Sequence, residues 1–173
     1  IAETVDSSRL EAFYRDPAGT AWETEIEFLM QRAALLLSVP SSRQAATGRG
    51  IEPDAATWAV SDFWFDHSMA FARVWLPQDK QAAFRQRWLE TRGHVPPPRL
   101  LVVLEAPVDV LRRRIAARGR PYEQGLDRGV LERIRDAIEE QVQSADTGPV
   151  LRIEDRRLSH SYDEVRAALD AMA

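Results

Sequence analysis

The residues best suited to chemistry lie in a basic stretch, residues 114–125, which we call the arginine segment. Arg114 and Arg118 are four residues apart and therefore share one face of a predicted helix. Arg120 follows Gly119, a residue that lets the backbone turn. Clustered guanidinium groups suit a multiply charged phosphate, because each binds two oxygens. A solvated basic helix face is the alternative, but Gly119 and Gly125, on either side of residues 120–124, favour a lid that closes over phosphate.

Two acidic residues follow predicted strands. Glu3 lies in the short apolar stretch 1–5, and Asp62 follows the apolar run 58–60. Ligands of open parallel sheets bind beyond the carboxyl ends of strands, where a carboxylate serves as a general base. The alternatives are an exposed glutamate at a strand end and a helix cap formed by Asp62.

A third candidate lies on a predicted helix that starts at Thr20 and stops near Pro40. Glu25 and Arg32 are seven residues apart on its apolar face. A buried acid and a buried arginine need partners, which are either each other or the polar edge of a ligand. Nearby aromatic residues form either a slot for a planar ring or ordinary core; they are Trp22, Phe63, Trp64, Phe65 and Phe71.

The composition narrows the class of protein. The chain has 173 residues with 45% hydrophobic residues, which suits one domain, residues 1–173. It contains no cysteine, and its three histidines show no metal-ligand spacing. A net charge of −4 argues against a nucleic-acid partner. No apolar run is long enough for a membrane span and no secretory signal is visible, so we expect a cytoplasmic protein.

The predicted elements alternate between strands and helices, which favours an α/β fold with a parallel sheet flanked by helices on both faces. The predicted strands are 1–5, 58–60, 100–104 and 150–153, the last two being the clearer pair. The run 100–104 is uninterrupted and predicts burial on both faces of the sheet, and 58–60 also predicts a buried strand. The predicted helices cover 7–14, 20–37, 62–76, 78–92, a stretch from Pro107, 127–144 and 161–172, with a turn at 16–19 and a loop at 40–54.

In order and spacing, the chain resembles the deoxynucleoside kinase family, in its bacterial deoxyguanosine and deoxyadenosine kinase branch. The resemblance runs through nearly all of the chain, and the string Arg118-Gly119-Arg120-Pro121-Tyr122-Glu123-Gln124-Gly125 is its most specific part. The other matching segments are 1–5, 13–17, 21–25 with Arg32, 61–66 with Phe71-Ala72, and 131–134. The resemblance implies a P-loop kinase-like fold and phosphate transfer from ATP or another nucleoside triphosphate, with Mg²⁺.

Catalytic roles follow from the resemblance for four residues. It implies that Glu3 takes the proton of the nucleoside 5′-hydroxyl. It also implies that Arg114, Arg118 and Arg120 clamp the phosphates and stabilise the charge in transfer.

The resemblance also implies a substrate site, whose residues are Tyr14, Glu25, Arg32, Asp62, Asp66 and Glu123. Tyr14 and Glu123 match the pair that holds the sugar 3′-hydroxyl, which favours deoxyribose. Arg32 matches a residue facing the base, as does Asp66, with His67 as the alternative. Asp62 marks the bacterial branch, because many family members have an arginine there.

Glu25 departs from the family, which usually has a glutamine at this position. An ionised glutamate offers only acceptors, and guanine presents adjacent N1–H and N2–H donors. Taken as a carboxylate, Glu25 therefore predicts a preference for deoxyguanosine.

A second departure concerns the donor phosphates. The family's loop G-x-x-x-x-G-K-[ST] does not occur in this sequence, whose single lysine, Lys80, has no glycine nearby. We therefore expect a central strand and phosphate loop before Ile1, and no activity from the 173 residues alone. The alternatives are a non-catalytic nucleoside-binding or regulatory relative and a nucleoside-monophosphate kinase. A homodimer through helices 20–37 and 62–76 is also expected.

Overall fold

The computed structural model describes residues 1–3, 6–39, 59–144, 146–154 and 158–172. The predicted loop 40–54 and parts of the predicted strands 1–5 and 58–60 lie outside these ranges.

The two N-terminal helices begin at aspartate caps. Helix α1 spans Ser7–Arg15, and the Asp6 carboxylate accepts from the Ser8 backbone N–H at 2.9 Å. Helix α2 spans Pro17–Leu37, and Asp16 accepts from the Gly19 N–H at 3.1 Å. The predicted turn at 16–19 is therefore wrong: it is the capped first turn of α2, in which proline is well tolerated.

The remaining helices agree closely with the sequence pattern, except at the start of α3. They are α3, His67–Trp75; α4, Gln78–Arg92; α5, Val108–Arg118; α6, Arg128–Ser144; and α7, Leu158–Asp170, with a 3₁₀ turn at Pro121–Glu123 after α5. Helix α3 starts five residues later than predicted, because Asp62 does not cap it. The Asp62 carboxylate instead accepts from the Glu3 backbone N–H at 3.1 Å.

Two parallel strands form the sheet in the described ranges. Strand β1, Leu101–Glu105, pairs with β2, Val150–Glu154, in a register that runs from Leu101 opposite Val150 to Glu105 opposite Glu154. The parallel arrangement is confirmed. The prediction that β1 is buried on both faces is wrong, because Leu104 is 76% exposed. Among the described residues, β1 has a hydrogen-bonded neighbour along one edge alone.

The two weaker predicted strands are not strands in the described residues, but they lie side by side. The Ile1 amino group donates to the Val60 carbonyl, and the Asp62 N–H donates to the Ile1 carbonyl at 3.2 Å. This alternation is that of a parallel pair. Val60 is 77% exposed, so the predicted burial of 58–60 is wrong at this residue. The contact brings Glu3 beside Asp62.

The main core lies within the helical layer. It is built by α1 to α4, and its central buried residues are Phe13, Leu29, Phe65, Met69 and Phe84. Each fully buried side chain of this size contributes about 2 kcal/mol of transfer free energy. A smaller cluster, Trp64, Leu101 and Val142, ties β1 to α6. In the described part of the chain, no helix has the length and apolar character of a membrane span.

Candidate functional site

A buried ion pair joins the N-terminal segment to α2. Arg32 Nε donates to Glu3 Oε1 at 2.6 Å, and Arg32 Nη1 donates to Ser68 Oγ at 2.8 Å. Arg32 is 4% exposed and Ser68 is fully buried. Because the guanidinium has left water, these two partners hold it in one orientation. We call Glu3, Arg32, Ser68 and Glu25 the acid–arginine cluster.

Helix α2 places Glu25 in this cluster. Two helical turns separate Glu25 from Arg32, so both lie on one face, as predicted. Arg32 is occupied by Glu3 and Ser68, and the predicted alternative that Glu25 and Arg32 pair with each other is not realised. In the part of the chain that the structure describes, no hydrogen bond or ion pair engages the Glu25 carboxyl.

Burial changes the protonation state of Glu25. The side chain is 3% exposed, and desolvation raises the pKa of Glu25 to about 8, partly offset by the charge of Arg32. Burial therefore favours the acid form over the carboxylate that the sequence-based preference for deoxyguanosine assumes. A protonated carboxyl offers one donor and one acceptor, as glutamine does.

Tyr14 connects the acid–arginine cluster to the arginine segment. Its ring stacks on Tyr122, with ring centroids 5.9 Å apart and an interplanar angle of 14°. Burial, followed by the negative charge of Glu123, raises the pKa of Tyr14 to about 12, and Glu25 adds to the same effect. The Tyr14 hydroxyl thus keeps its proton at neutral pH and remains a hydrogen-bond donor.

Glu123 organises the arginine segment. This carboxylate is 5% exposed, and it accepts from Arg118 Nε at 3.0 Å, from Arg118 Nη2 at 2.6 Å and from Arg120 Nη1 at 3.3 Å. Gly119 ends α5 with φ of 70°, a left-handed conformation in which glycine has no steric cost. The turn allows arginines on both sides of Gly119 to reach one carboxylate. Arg114 lies one turn earlier on α5 and is exposed.

The two aspartates that follow Val60, Asp62 and Asp66, lie in different parts of the structure. Asp62 lies beside Glu3 through its backbone contact. Asp66 is 1% exposed, and its Oδ1 lies 2.7 Å from Arg92 Nε, so this carboxylate is paired with α4 rather than with the cluster. Burial raises the pKa of Asp66, and Arg92 partly offsets the effect.

His67 is a partly buried histidine at the start of α3. Its Nδ1 accepts from the Trp64 N–H at 3.4 Å. Burial, with a contribution from the charge of Arg32, holds the pKa of His67 well below its ordinary value. The imidazole therefore does not carry charge at neutral pH.

Sequence reasoning missed three residues that complete these contacts: Ser68, Arg92 and Tyr122. Tyr122 lies inside the arginine segment, and its aromatic character beside Glu123 was the available signal. Ser68 and Arg92 had none, because their partners lie 36 and 26 residues away along the chain.

The fold and site define a class before any comparison. The chain is a helix-rich α/β protein whose parallel sheet is flanked by helices, and it gathers carboxyl, tyrosine and arginine groups around one region. This fold is consistent with a P-loop kinase-like architecture.

Comparison with known proteins then supplies the family. The family model for deoxynucleoside kinase matches residues 2–170, so the chain belongs to the deoxynucleoside kinase family. A search of curated proteins finds no match. Kinases of this family phosphorylate deoxynucleosides and generally use ATP and Mg²⁺.

The chain's own residues fit part of this chemistry. The arginines of the arginine segment suit phosphate oxygens, which are the groups that ATP presents. In the described ranges, no group of three or more histidine, aspartate or glutamate side chains converges as a metal site. Two acidic residues, Glu3 and Asp62, lie next to each other at one end of the acid–arginine cluster.

Proposed function

We propose that this protein transfers a phosphate from ATP to the 5′-hydroxyl of a purine deoxynucleoside, deoxyguanosine or deoxyadenosine, with Mg²⁺. The observation that carries the proposal is the position of Tyr14, whose ring stacks on Tyr122 with ring centroids 5.9 Å apart. Tyr122 is the neighbour of Glu123 along the chain, so the two residues assigned to the sugar, Tyr14 and Glu123, lie in one region. Nucleotide salvage in the cytoplasm is the proposed setting.

Glu3 is the proposed general base. Its carboxylate takes the 5′-hydroxyl proton while the 5′-oxygen bonds to the γ-phosphorus and the bond to the β-phosphate breaks. Arg32 holds one Glu3 oxygen at 2.6 Å, which leaves the other free to face the substrate. A fixed carboxylate supports catalysis because the proton acceptor is already in place.

Tyr14 and Glu123 are the proposed sugar residues. The Tyr14 hydroxyl donates and the Glu123 carboxylate accepts, so together they satisfy both capacities of a 3′-hydroxyl. Stacking on Tyr122 supports this role, because it fixes the tyrosine ring. We also assign three further residues to the nucleoside site: Arg32, Asp62 and Asp66. Asp66 would act indirectly, because its carboxylate is paired with Arg92.

Arg114, Arg118 and Arg120 are the proposed phosphate clamp. Arg118 and Arg120 are about half exposed, at 49% and 47% of their side chains, so they are accessible to a phosphate. Their present partner, Glu123, holds them at the sugar side. Donor phosphate would draw them toward the developing negative charge.

Binding of deoxynucleosides tests this proposal without requiring catalysis. We expect calorimetric titration to give tighter binding of deoxyadenosine and deoxyguanosine than of deoxycytidine and thymidine. Tyr14→Phe and Glu123→Gln should each weaken the binding about tenfold. Glu11→Gln, an exposed residue of α1, is the matched control. A clear preference for thymidine or deoxycytidine would refute the purine assignment.

The non-catalytic alternative rests on one observation, the absence of G-x-x-x-x-G-K-[ST] from the 173 residues. We propose that these residues bind the nucleoside but do not transfer phosphate by themselves. Phosphate transfer should be assayed on this chain and on the product of its full coding region. Activity of the 173 residues alone would contradict the proposed inactivity, and no transfer by the full product would favour the binding or regulatory relative. Transfer to a nucleoside monophosphate would favour the alternative of a nucleoside-monophosphate kinase.

A homodimer is part of the proposal, through the outer face of α2 and α4. Met30 and Leu37 are half exposed there, beside a groove of about 340 Å³. Arg87 and Glu90 line the groove, and their opposite charges suit a two-fold contact in which each meets its counterpart. Analytical ultracentrifugation should give a dimer for the wild type and a monomer for Met30→Glu. Helix α3, also expected at this interface, packs against α2, α4 and α6 within the protomer.

A further inference from the structure

Ser68 places a hydroxyl at a fully buried position of α3. It is the second residue of this helix and is 0% exposed, and the other buried residues of the helix are apolar: Met69, Ala70 and Ala72. An alanine would pack there without burying a polar group, and a buried hydroxyl costs free energy unless it has a partner. The partner is Arg32, whose Nη1 donates to Ser68 Oγ at 2.8 Å. The hydroxyl thus serves Arg32 rather than the packing of α3.

Three contacts hold the Arg32 guanidinium. Nε donates to Glu3 Oε1 at 2.6 Å, and Nη1 donates to Ser68. The face of the group lies over the ring of Phe28, one turn earlier on α2, with Cζ 5.1 Å from the ring centroid. A guanidinium is planar and rigid, so contacts to two of its nitrogens and one of its faces fix both its position and its rotation. Without the Ser68 contact, the group keeps its attraction to Glu3 but is free to turn.

The start of α3 is itself anchored, which gives the hydroxyl a fixed position. The Ser68 N–H donates to the Phe65 carbonyl at 3.2 Å in the first turn. One residue before the helix, the Asp66 carboxylate is 1% exposed and lies 2.7 Å from Arg92 Nε of α4. This pair resists displacement, because separating it would leave Asp66 as a buried unpaired charge. The group that Arg32 meets is therefore set by the packing of two helices, α3 and α4.

We propose that Ser68 is a positioning residue for Glu3: its hydroxyl fixes the Arg32 guanidinium, which in turn directs the Glu3 carboxylate. This role rests on the proposed function, in which Glu3 takes the 5′-hydroxyl proton. Ser68 is fully buried and, among the described residues, has no hydrogen bond to Glu3, so it acts through Arg32 and not by touching the substrate. Loss of the hydroxyl should slow phosphate transfer more than it weakens nucleoside binding, because the proton acceptor is misplaced while Tyr14 and Glu123 remain.

A double-mutant cycle on stability tests the link itself, without requiring catalysis. Glu3→Gln removes the charge that Arg32 faces, and Ser68→Ala removes the hydroxyl. If Arg32 joins the two, Ser68→Ala should reduce the effect of Glu3→Gln on the unfolding equilibrium constant by about threefold or more in urea denaturation. Ser38→Ala, at the exposed C-cap of α2, is the control and should leave the effect of Glu3→Gln unchanged.

Two results of this cycle would overturn the proposal. Additive effects of Glu3→Gln and Ser68→Ala would mean that the two contacts of Arg32 are independent. A larger effect of Glu3→Gln in the Ser68→Ala chain would mean that the contacts substitute for each other.

Phosphate transfer by the product of the full coding region tests the consequence for catalysis. We expect Ser68→Ala to lower kcat about tenfold and to change the KM for the deoxynucleoside less than about twofold. Ser68→Thr, which restores the hydroxyl, should recover most of kcat. In the Glu3→Gln background, Ser68→Ala should cause no further loss of kcat, because the proton acceptor is already absent. A purely structural role would lower kcat equally in both backgrounds and would overturn the proposal.

The kinetic results also separate the role of Ser68 from the proposed function. A wild type that transfers no phosphate refutes the proposed function and the role of Ser68 with it. A wild type that phosphorylates a deoxynucleoside, while Ser68→Ala keeps its kcat, overturns the role of Ser68 alone. A raised KM with unchanged kcat also overturns it, because Ser68 would then act through the nucleoside contact of Arg32.

Discussion

The acid–arginine cluster and the arginine segment each pair arginine with glutamate, but they bury opposite members of the pair. In the cluster the cation is buried: the Arg32 side chain is 5% exposed and its partner Glu3 is 18% exposed. In the arginine segment the anion is buried, because the Glu123 side chain is 6% exposed and the side chains of Arg118 and Arg120 are about half exposed.

From this difference in burial we expect the acid–arginine cluster to be rigid and the arginines of the arginine segment to change partners more easily. A desolvated guanidinium with two partners has a large penalty for moving, whereas half-exposed arginines exchange partners at little cost. The proposed proton acceptor, Glu3, benefits from a fixed position, and the proposed phosphate clamp benefits from cations that can change partners.

Among single substitutions at neutral pH, the largest loss of stability should follow from removing the buried cation. Arg32→Met leaves Glu3 and Ser68 without their donor, so we expect the free energy of unfolding to fall by about 3 kcal/mol. Arg9→Met, which removes an exposed pair with Glu27, should cost less than about 0.5 kcal/mol. Urea denaturation measures both, and equal losses would contradict the contrast in burial.

The next effect is a pH dependence within the cluster. Folding raises the pKa of Glu25 from 4.5 to about 8, so the folded state holds a proton that the unfolded state releases. Stability of the wild type should therefore fall between about pH 5 and pH 8 relative to Glu25→Gln, by at most about 1.4 kcal/mol per pH unit. The two should differ by a constant amount above that range. Parallel stability curves across the range would show that Glu25 is not buried as an acid.

The arginine segment should respond more weakly. Arg118→Gln removes both hydrogen bonds from one arginine to Glu123, but Arg120 and water remain available. We expect a loss of about 1–2 kcal/mol, smaller than for Arg32→Met. A loss as large as that of Arg32→Met would mean that the segment is as rigid as the cluster.

The smallest effect concerns the turn that presents the arginines. Gly119 has φ of 70°, and a Cβ there would touch nothing within 4 Å, so Gly119→Ala should cost about 1 kcal/mol through backbone strain alone. Gly125 also has open space but no left-handed backbone, so Gly125→Ala should be close to neutral. Equal thermal stabilities of the two variants would refute the role given to Gly119.

Much of the fold could be predicted from periodicity and caps. Helix α4 has the predicted bounds, and the parallel pairing of β1 with β2 was expected from alternating strands and helices. The wrong predictions of the fold concern residues whose type is compatible with two local structures. Pro17 and Gly19 are typical of both a turn and a helix start. Asp62 is typical of a helix cap, but in the structure it accepts from the Glu3 N–H.

Less of the site could be predicted. The sequence pattern placed Glu25 and Arg32 on one face, and the clustering of Arg118, Arg120 and Glu123 was visible in a short string. The pairing of Arg32 with Glu3 was not visible, because such contacts depend on how distant segments pack.

The sequence by itself determined the helix faces, the parallel strand pair and the kinds of groups available for chemistry, because these depend on local spacing. The tertiary structure decided which groups meet and which are charged. Arg32 serves Glu3 rather than Glu25, and Asp66 serves Arg92. Packing, which no local pattern encodes, removes Glu25 from water and thereby raises its pKa to about 8.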